Sequence, residues 1–101
     1  MGQQRRIFKD RGLINMNVYD KKYRLEMIEE FNGHNYIYDD IEGSICYPAY
    51  FNVGERGWFL SLAEWFDRAH RIHTSVIESV AYTEEQIIVV TQNTKFTFKL
   101  I

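Results

Sequence analysis

A chain of 101 residues with 46% apolar, 16% aromatic and 26% charged residues has room for one domain with a real core, and it lacks the polar, aromatic-poor composition of disorder. Its net charge is only −2, no run of 18 apolar residues offers a membrane-spanning helix, and Lys9, Asp10 and Arg11 break the apolar segment a signal peptide needs after Arg5 and Arg6, so a cytoplasmic protein with no membrane partner is expected. Cys46 is the lone cysteine, which excludes an intrachain disulfide and a cysteine-based zinc or iron–sulfur cage.

Residues 1–15 set Arg5, Arg6, Lys9 and Arg11 against Asp10 and show no periodicity. They read as a flexible basic arm, with Met16 as a second candidate start, ahead of a single small β-rich domain over residues 16–101. The arm carries +3, so the rest of the chain carries −5. From Tyr23 the alternation of Tyr23, Leu25 and Met27 with Arg24 and Glu26 has period two, and Asn32-Gly33 is a hairpin turn dipeptide, so a β-hairpin is the first reading. A helix over residues 20–31 competes with it, because Leu25, Ile28 and Phe31 are also helically spaced between Asp20 and Gly33.

The aromatic run Ser44 to Phe51 contains Pro48, which marks an edge strand or a bulge. Gly54 and Gly57 bracket a tight turn that feeds a strand through Trp58-Phe59-Leu60. Leu62, Trp65, Phe66 and Ala69 have helical spacing opposite Glu64, Asp67 and Arg68, predicting one or two amphipathic turns over 62–69. The last third is a meander: Ile72 to Tyr82, Gln86 to Thr91 and Lys95 to Ile101 are rich in β-branched and aromatic residues. Phe96, Phe98 and Leu100 fall on one face of the last strand and Lys95, Thr97 and Lys99 on the other, while Ile87 to Val90 is apolar on both. The expected fold is mainly β, or a β-rich α+β domain: a small curved sheet or partly open β-barrel with one short helix.

Chemistry is sparser. His70 and His73 stand three positions apart, which on a strand turns the rings to opposite faces, so a metal site is not expected. Arg68, His70, Arg71 and His73, with Thr74 and Ser75, form a candidate anion or nucleotide surface, to which Arg56 and Trp58 can add a phosphate fork and a stacking ring. No serine elbow, phosphate-binding glycine loop, zinc helix or calcium loop is present, and neither catalysis nor a cofactor is expected. Between Arg24 and Arg56 there is no lysine or arginine, while Glu26, Glu29, Glu30, Asp39, Asp40, Glu42 and Glu55 follow one another. Such an interval reads either as a solvated face or as a phosphate mimic drawn to the basic channel of a nucleic-acid-binding protein.

Three blocks, Tyr50-Phe51-Asn52-Val53-Gly54-Glu55-Arg56-Gly57-Trp58-Phe59, His70-Arg71-Ile72-His73-Thr74-Ser75-Val76 and Thr91-Gln92-Asn93-Thr94-Lys95-Phe96, resemble small uncharacterised proteins of bacteriophages and integrated mobile elements of Gram-positive bacteria. The resemblance covers about half the chain, and its glycines and Asn93 have turn-forming roles. It carries no catalytic residue. Small phage accessory proteins look, as a class, like anti-defence factors such as inhibitors of CRISPR nucleases or sponges for nucleotide messengers. The resemblance therefore implies a non-enzymatic protein that binds a host protein, a defence nuclease among the candidates, and the acidic interval supplies its expected contacts: Glu26, Glu29, Glu30, Asp39, Asp40 and Glu42. The alternatives are a nucleotide sponge using Arg56, Trp58, Arg68 and Arg71, and an RNA or single-strand binder assisted by the basic arm. An edge near Pro48 or an exposed Trp65-Phe66 pair would allow a homodimer.

Overall fold

The computed structural model describes residues 21–63 and 70–101. The arm expected over 1–15 lies outside these residues, as do the helical turns expected over 62–69 from residue 64 onward, with Trp65, Phe66 and Arg68. Six strands and one short helix follow in the order β1 (Tyr23–Glu30), α1 (Ile37–Ile41), β2 (Ile45–Tyr50), β3 (Arg56–Ser61), β4 (His70–Tyr82), β5 (Gln86–Thr91) and β6 (Thr94–Leu100). The strands close into an antiparallel barrel in sequence order, with β6 returning to β1. The fold is thus mainly β, and the sheet expected to be curved or partly open closes into a barrel, with β1 and β2 meeting over two residue pairs.

The helix expected as an alternative over 20–31 is a strand, and a bulge explains the helical look of its sequence. Leu25 pairs with Phe98 and Met27 with Thr97, leaving Glu26 as the extra residue. That slip turns both Leu25 and Ile28 toward the core, where Ile28 pairs with Phe96, so inward residues stand three apart as they would on a helix. The hairpin expected at Asn32-Gly33 does not form either. β1 pairs along its length with β6 and touches β2 only at Tyr23↔Cys46 and Arg24↔Ile45. Gly33 takes φ +112°, the Asn35 side chain accepts the Ile37 N–H at 3.1 Å, and the chain enters α1, whose fully buried Ile41 joins the core.

Pro48 sits at a bulge, one of the two readings its sequence position allows. It pairs with Phe59 while Tyr50 pairs with Trp58, so Ala49 is the extra residue. Opposite it, a Cβ on Gly57 would lie 2.5 Å from the Tyr50 carbonyl oxygen and 2.8 Å from Ile77 Cδ1, so glycine permits the close approach of β2, β3 and β4. The Gly57 N–H donates to Thr74 Oγ1 at 2.9 Å, which satisfies a buried hydroxyl inside the barrel.

The core is aromatic at its centre. The Phe59 ring lies 5.1 Å from Phe98 and 5.8 Å from Phe96, and Phe51 and Tyr38 pack against the same cluster. β6 alternates as read from sequence, with Phe96 and Phe98 buried. β5 lies between β4 and β6; Ile87 and Val89 face inward, and Ile88 and Val90 remain half-buried on the outside.

Candidate functional site

The outer face of β2, β3 and β4 collects most of the residues read as anion- or nucleotide-binding. Registers set Tyr50, Trp58 and His73 abreast in one row, and Tyr47, Leu60 and Arg71 in the next. Alternation then decides which side each occupies: Phe59 and Ile72 are buried, so Trp58, Leu60, Arg71 and His73 face outward. Arg71 places its guanidinium carbon 4.2 Å from the Trp58 ring centroid, a cation–π geometry. Arg56 donates from Nε to the Thr74 carbonyl at 3.0 Å, which anchors a second guanidinium beside β4.

Tyr50 belongs to this face too. Its hydroxyl donates to Glu55 at 2.8 Å and accepts from Asn52 at 3.3 Å, and Asn52 donates to the other Glu55 oxygen at 3.0 Å. These bonds hold the Glu55 carboxyl below its ordinary range, Tyr50 first and Asn52 second. His70 pairs with Ser61 and so shares the inward register, away from Trp58. Among the described residues no three His, Cys, Asp or Glu side chains are placed to hold a metal ion. Tyr47 and Tyr50, part of the aromatic run from Ser44 to Phe51, both come to the outside through the bulge at Ala49, and a bulge sets a face without a period to betray it.

The six carboxylates read as a docking surface are not brought together as one face. The bulge sets Glu26 apart, Glu29 faces outward with Lys95 Nζ at 3.8 Å, and Glu30 pairs with buried Thr94 in the inward register. Glu30 and Asp39 flank one ring: Glu30 Oε2 lies 2.6 Å from His34 Nδ1, and Asp39 Oδ2 lies 2.9 Å from Nε2. The other Glu30 oxygen accepts the Asn35 N–H at 2.7 Å. Hydrogen bonds that His34 donates to Asp39 and then to Glu30 raise its pKa above the ordinary value. Glu42 accepts the Ile28 N–H at 2.8 Å, replacing a strand partner that β2 does not supply there. Asp40 is exposed in α1.

Beside His34 lies a polar cleft of about 220 Å³ lined by Glu30, Asn32, Tyr38, Ser75 and Asn93 among others. Its amides bond one another: Asn32 Nδ2 donates to Asn93 Oδ1 at 3.2 Å, and Asn93 Nδ2 to Ser75 Oγ at 3.0 Å. Cys46 is buried, and burial pushes its thiol up to about 11, which makes it a poor nucleophile.

β1 stands opposite β4 in the six-strand closure, three strands away in either direction. On the outside, Glu29 of β1 and the Trp58–Arg71 face therefore lie apart, whereas Glu30 lines the cleft that Ser75 of β4 also lines. No helix among the described residues is long and apolar enough to cross a membrane. Comparison of the chain with protein-family models, with curated proteins and with solved structures finds no match.

Proposed function

We propose that the domain binds rather than catalyses, and that its ligand is a nucleotide unit held on the outer face of β2, β3 and β4. The observation that carries this reading is the Arg71 guanidinium lying over Trp58, whose row also holds Tyr50 and His73. An indole face accepts any base by stacking, and guanidinium groups match phosphate oxygens with paired N–H donors. In the setting implied by the resemblance to mobile-element proteins, such a binder acts on the nucleic acids or nucleotide messengers that a host defence handles.

An acidic inhibitor surface has less support, because Glu30, Asp39 and Glu42 serve internal hydrogen bonds and Glu29 meets Lys95. Amide shift mapping of the full chain with the dinucleotide pUpU separates the two readings. Perturbations at Trp58, Leu60, Arg71 and His73, lost in Trp58→Ala, are expected; shifts absent, or centred on β1 and α1, would overturn the nucleotide reading.

A further inference from the structure

His34 stands between carboxylates of two different elements: Nδ1 lies 2.6 Å from Glu30 Oε2 of β1, and Nε2 lies 2.9 Å from Asp39 Oδ2 of α1. A neutral imidazole has one N–H and one acceptor nitrogen, so only the doubly protonated ring donates on both sides. We infer that His34 is a proton-operated latch between β1 and α1: doubly protonated it ties Glu30 to Asp39, and on losing its Nε2 proton it keeps Glu30 and lets Asp39 go. The latch shares no residue with the Trp58–Arg71 face.

Three differences between the carboxylates decide which bond breaks. The bond to Glu30 is the shorter. The Glu30 side chain is 18% exposed against 63% for Asp39, so a released Asp39 is solvated by water that an unpaired Glu30 would lack. The second Glu30 oxygen accepts the Asn35 N–H at 2.7 Å, which fixes that carboxylate against the ring. Neutral His34 therefore keeps its proton on Nδ1, and its bare Nε2 faces Asp39 lone pair to lone pair. Other groups do not replace the lost proton. Tyr36 meets the ring edge-on at 4.7 Å, Asp40 is exposed, Glu42 is taken by the Ile28 N–H and Lys95 meets Glu29. Tyr38, whose phenol burial pushes up, stays neutral, and from β4 and the β5–β6 turn the cleft receives only Ser75, Asn93 and Thr94.

What opens is the first turn of α1. Buried Ile41 holds the far end of the helix on the core, and Phe31 and Asn32 are bonded to Asn93 and Gln92, so both flanks stay in place. A five-residue helix has little stability of its own, and Asp39 ties its first turn back to the end of β1 through His34. That turn carries Tyr38, which lines the polar cleft, so the latch holds one wall of the cleft in place. Hydrogen bonds to Asp39 and then Glu30 raise the His34 pKa, so the closed form persists above the ordinary imidazole value of 6.5 and opens as pH rises further.

The test is a pH titration of the full nitrogen-15-labelled chain by NMR, with ring nitrogen shifts reporting the tautomer and amide hydrogen exchange, corrected for the intrinsic rate, reporting the helix. Native His34 is expected to pass from the doubly protonated ring to the Nδ1–H form, the reverse of the Nε2–H form that unconstrained histidines favour. Across the same transition the Tyr38 and Asp39 amides, which donate within the first turn, are expected to lose protection about 2- to 5-fold, the size of one exposed ion pair, while β4 and β5 do not change. Asp39→Asn, at an exposed position, keeps the Nδ1–H form but removes the step in α1 protection, because an amide can meet Nε2 as acceptor or as donor. Glu30→Gln is expected to turn the neutral ring to Nε2–H. A native ring in the Nε2–H form above the transition, α1 protection that ignores the His34 titration, or a step that survives in Asp39→Asn would each overturn the latch.

Discussion

The guanidinium of Arg71 on β4 sits 4.2 Å above the indole of Trp58 on β3, though the two residues are not register partners; Trp58 faces His73 and Arg71 faces Leu60. The contact is diagonal across an exposed strand pair. At such sites a cation–π pair contributes about 0.5–1 kcal/mol. A double-mutant cycle with Arg71→Ala and Trp58→Leu, read by urea denaturation, is expected to return a coupling of that size. A coupling indistinguishable from zero would mean that the pair does nothing for stability.

Gly57 is the tightest point of the barrel. Gly57→Ala drives a methyl against the Tyr50 carbonyl oxygen, a backbone atom, and against Ile77 Cδ1. A loss of about 1–3 kcal/mol is expected from overpacking, measured as a fall in the denaturation midpoint. A neutral outcome would show that β2 and β3 separate without cost.

Phe59 is fully buried and contacts Phe51, Phe96 and Phe98. Phe59→Ala removes the centre of that cluster, and about 3–5 kcal/mol of stability should be lost. Calorimetric unfolding checks this, and in a domain of this size such a loss is a large share of the total.

His34 predicts a pH dependence. Its pKa is raised by Asp39 and Glu30, and only the doubly protonated ring donates to both carboxylates. A folded-state pKa above the unfolded one stabilises the protein fully below the ordinary imidazole value of 6.5, and the contribution disappears as pH rises through the folded pKa. The melting temperature of the native chain should therefore exceed that of His34→Gln at mildly acidic pH, and the gap should close on the alkaline side. A gap that widens with pH would reverse the assignment.

Cys46 should resist iodoacetamide in the folded protein at pH 8, where its buried thiol, raised to about 11, remains protonated. Modification is expected only at the rate of unfolding, read by mass spectrometry with and without urea. Fast native labelling would mean that the barrel end near Ser44 and Ser61 opens readily.

Local chemistry made much of the barrel legible. The meander of β4, β5 and β6 followed from β-branched and aromatic runs divided by polar turns, and Phe96 and Phe98 from period two. Pro48 announced a bulge because it has no N–H for a ladder. The five-residue α1 was not legible, since a helix that short has no complete period to recognise.

What the linear order determined about this protein is the β-rich class, the inward phenylalanines and the segregation of acids from the arginines that follow them. Tertiary structure alone decided the faces. One inserted residue reverses every side chain beyond it, so the bulges at Glu26 and Ala49 scattered a continuous acidic interval and gathered Tyr47, Tyr50, Trp58 and Arg71. Closure by β1 against β6 joins the two ends of the described barrel, a pairing across some 70 residues that no local pattern encodes.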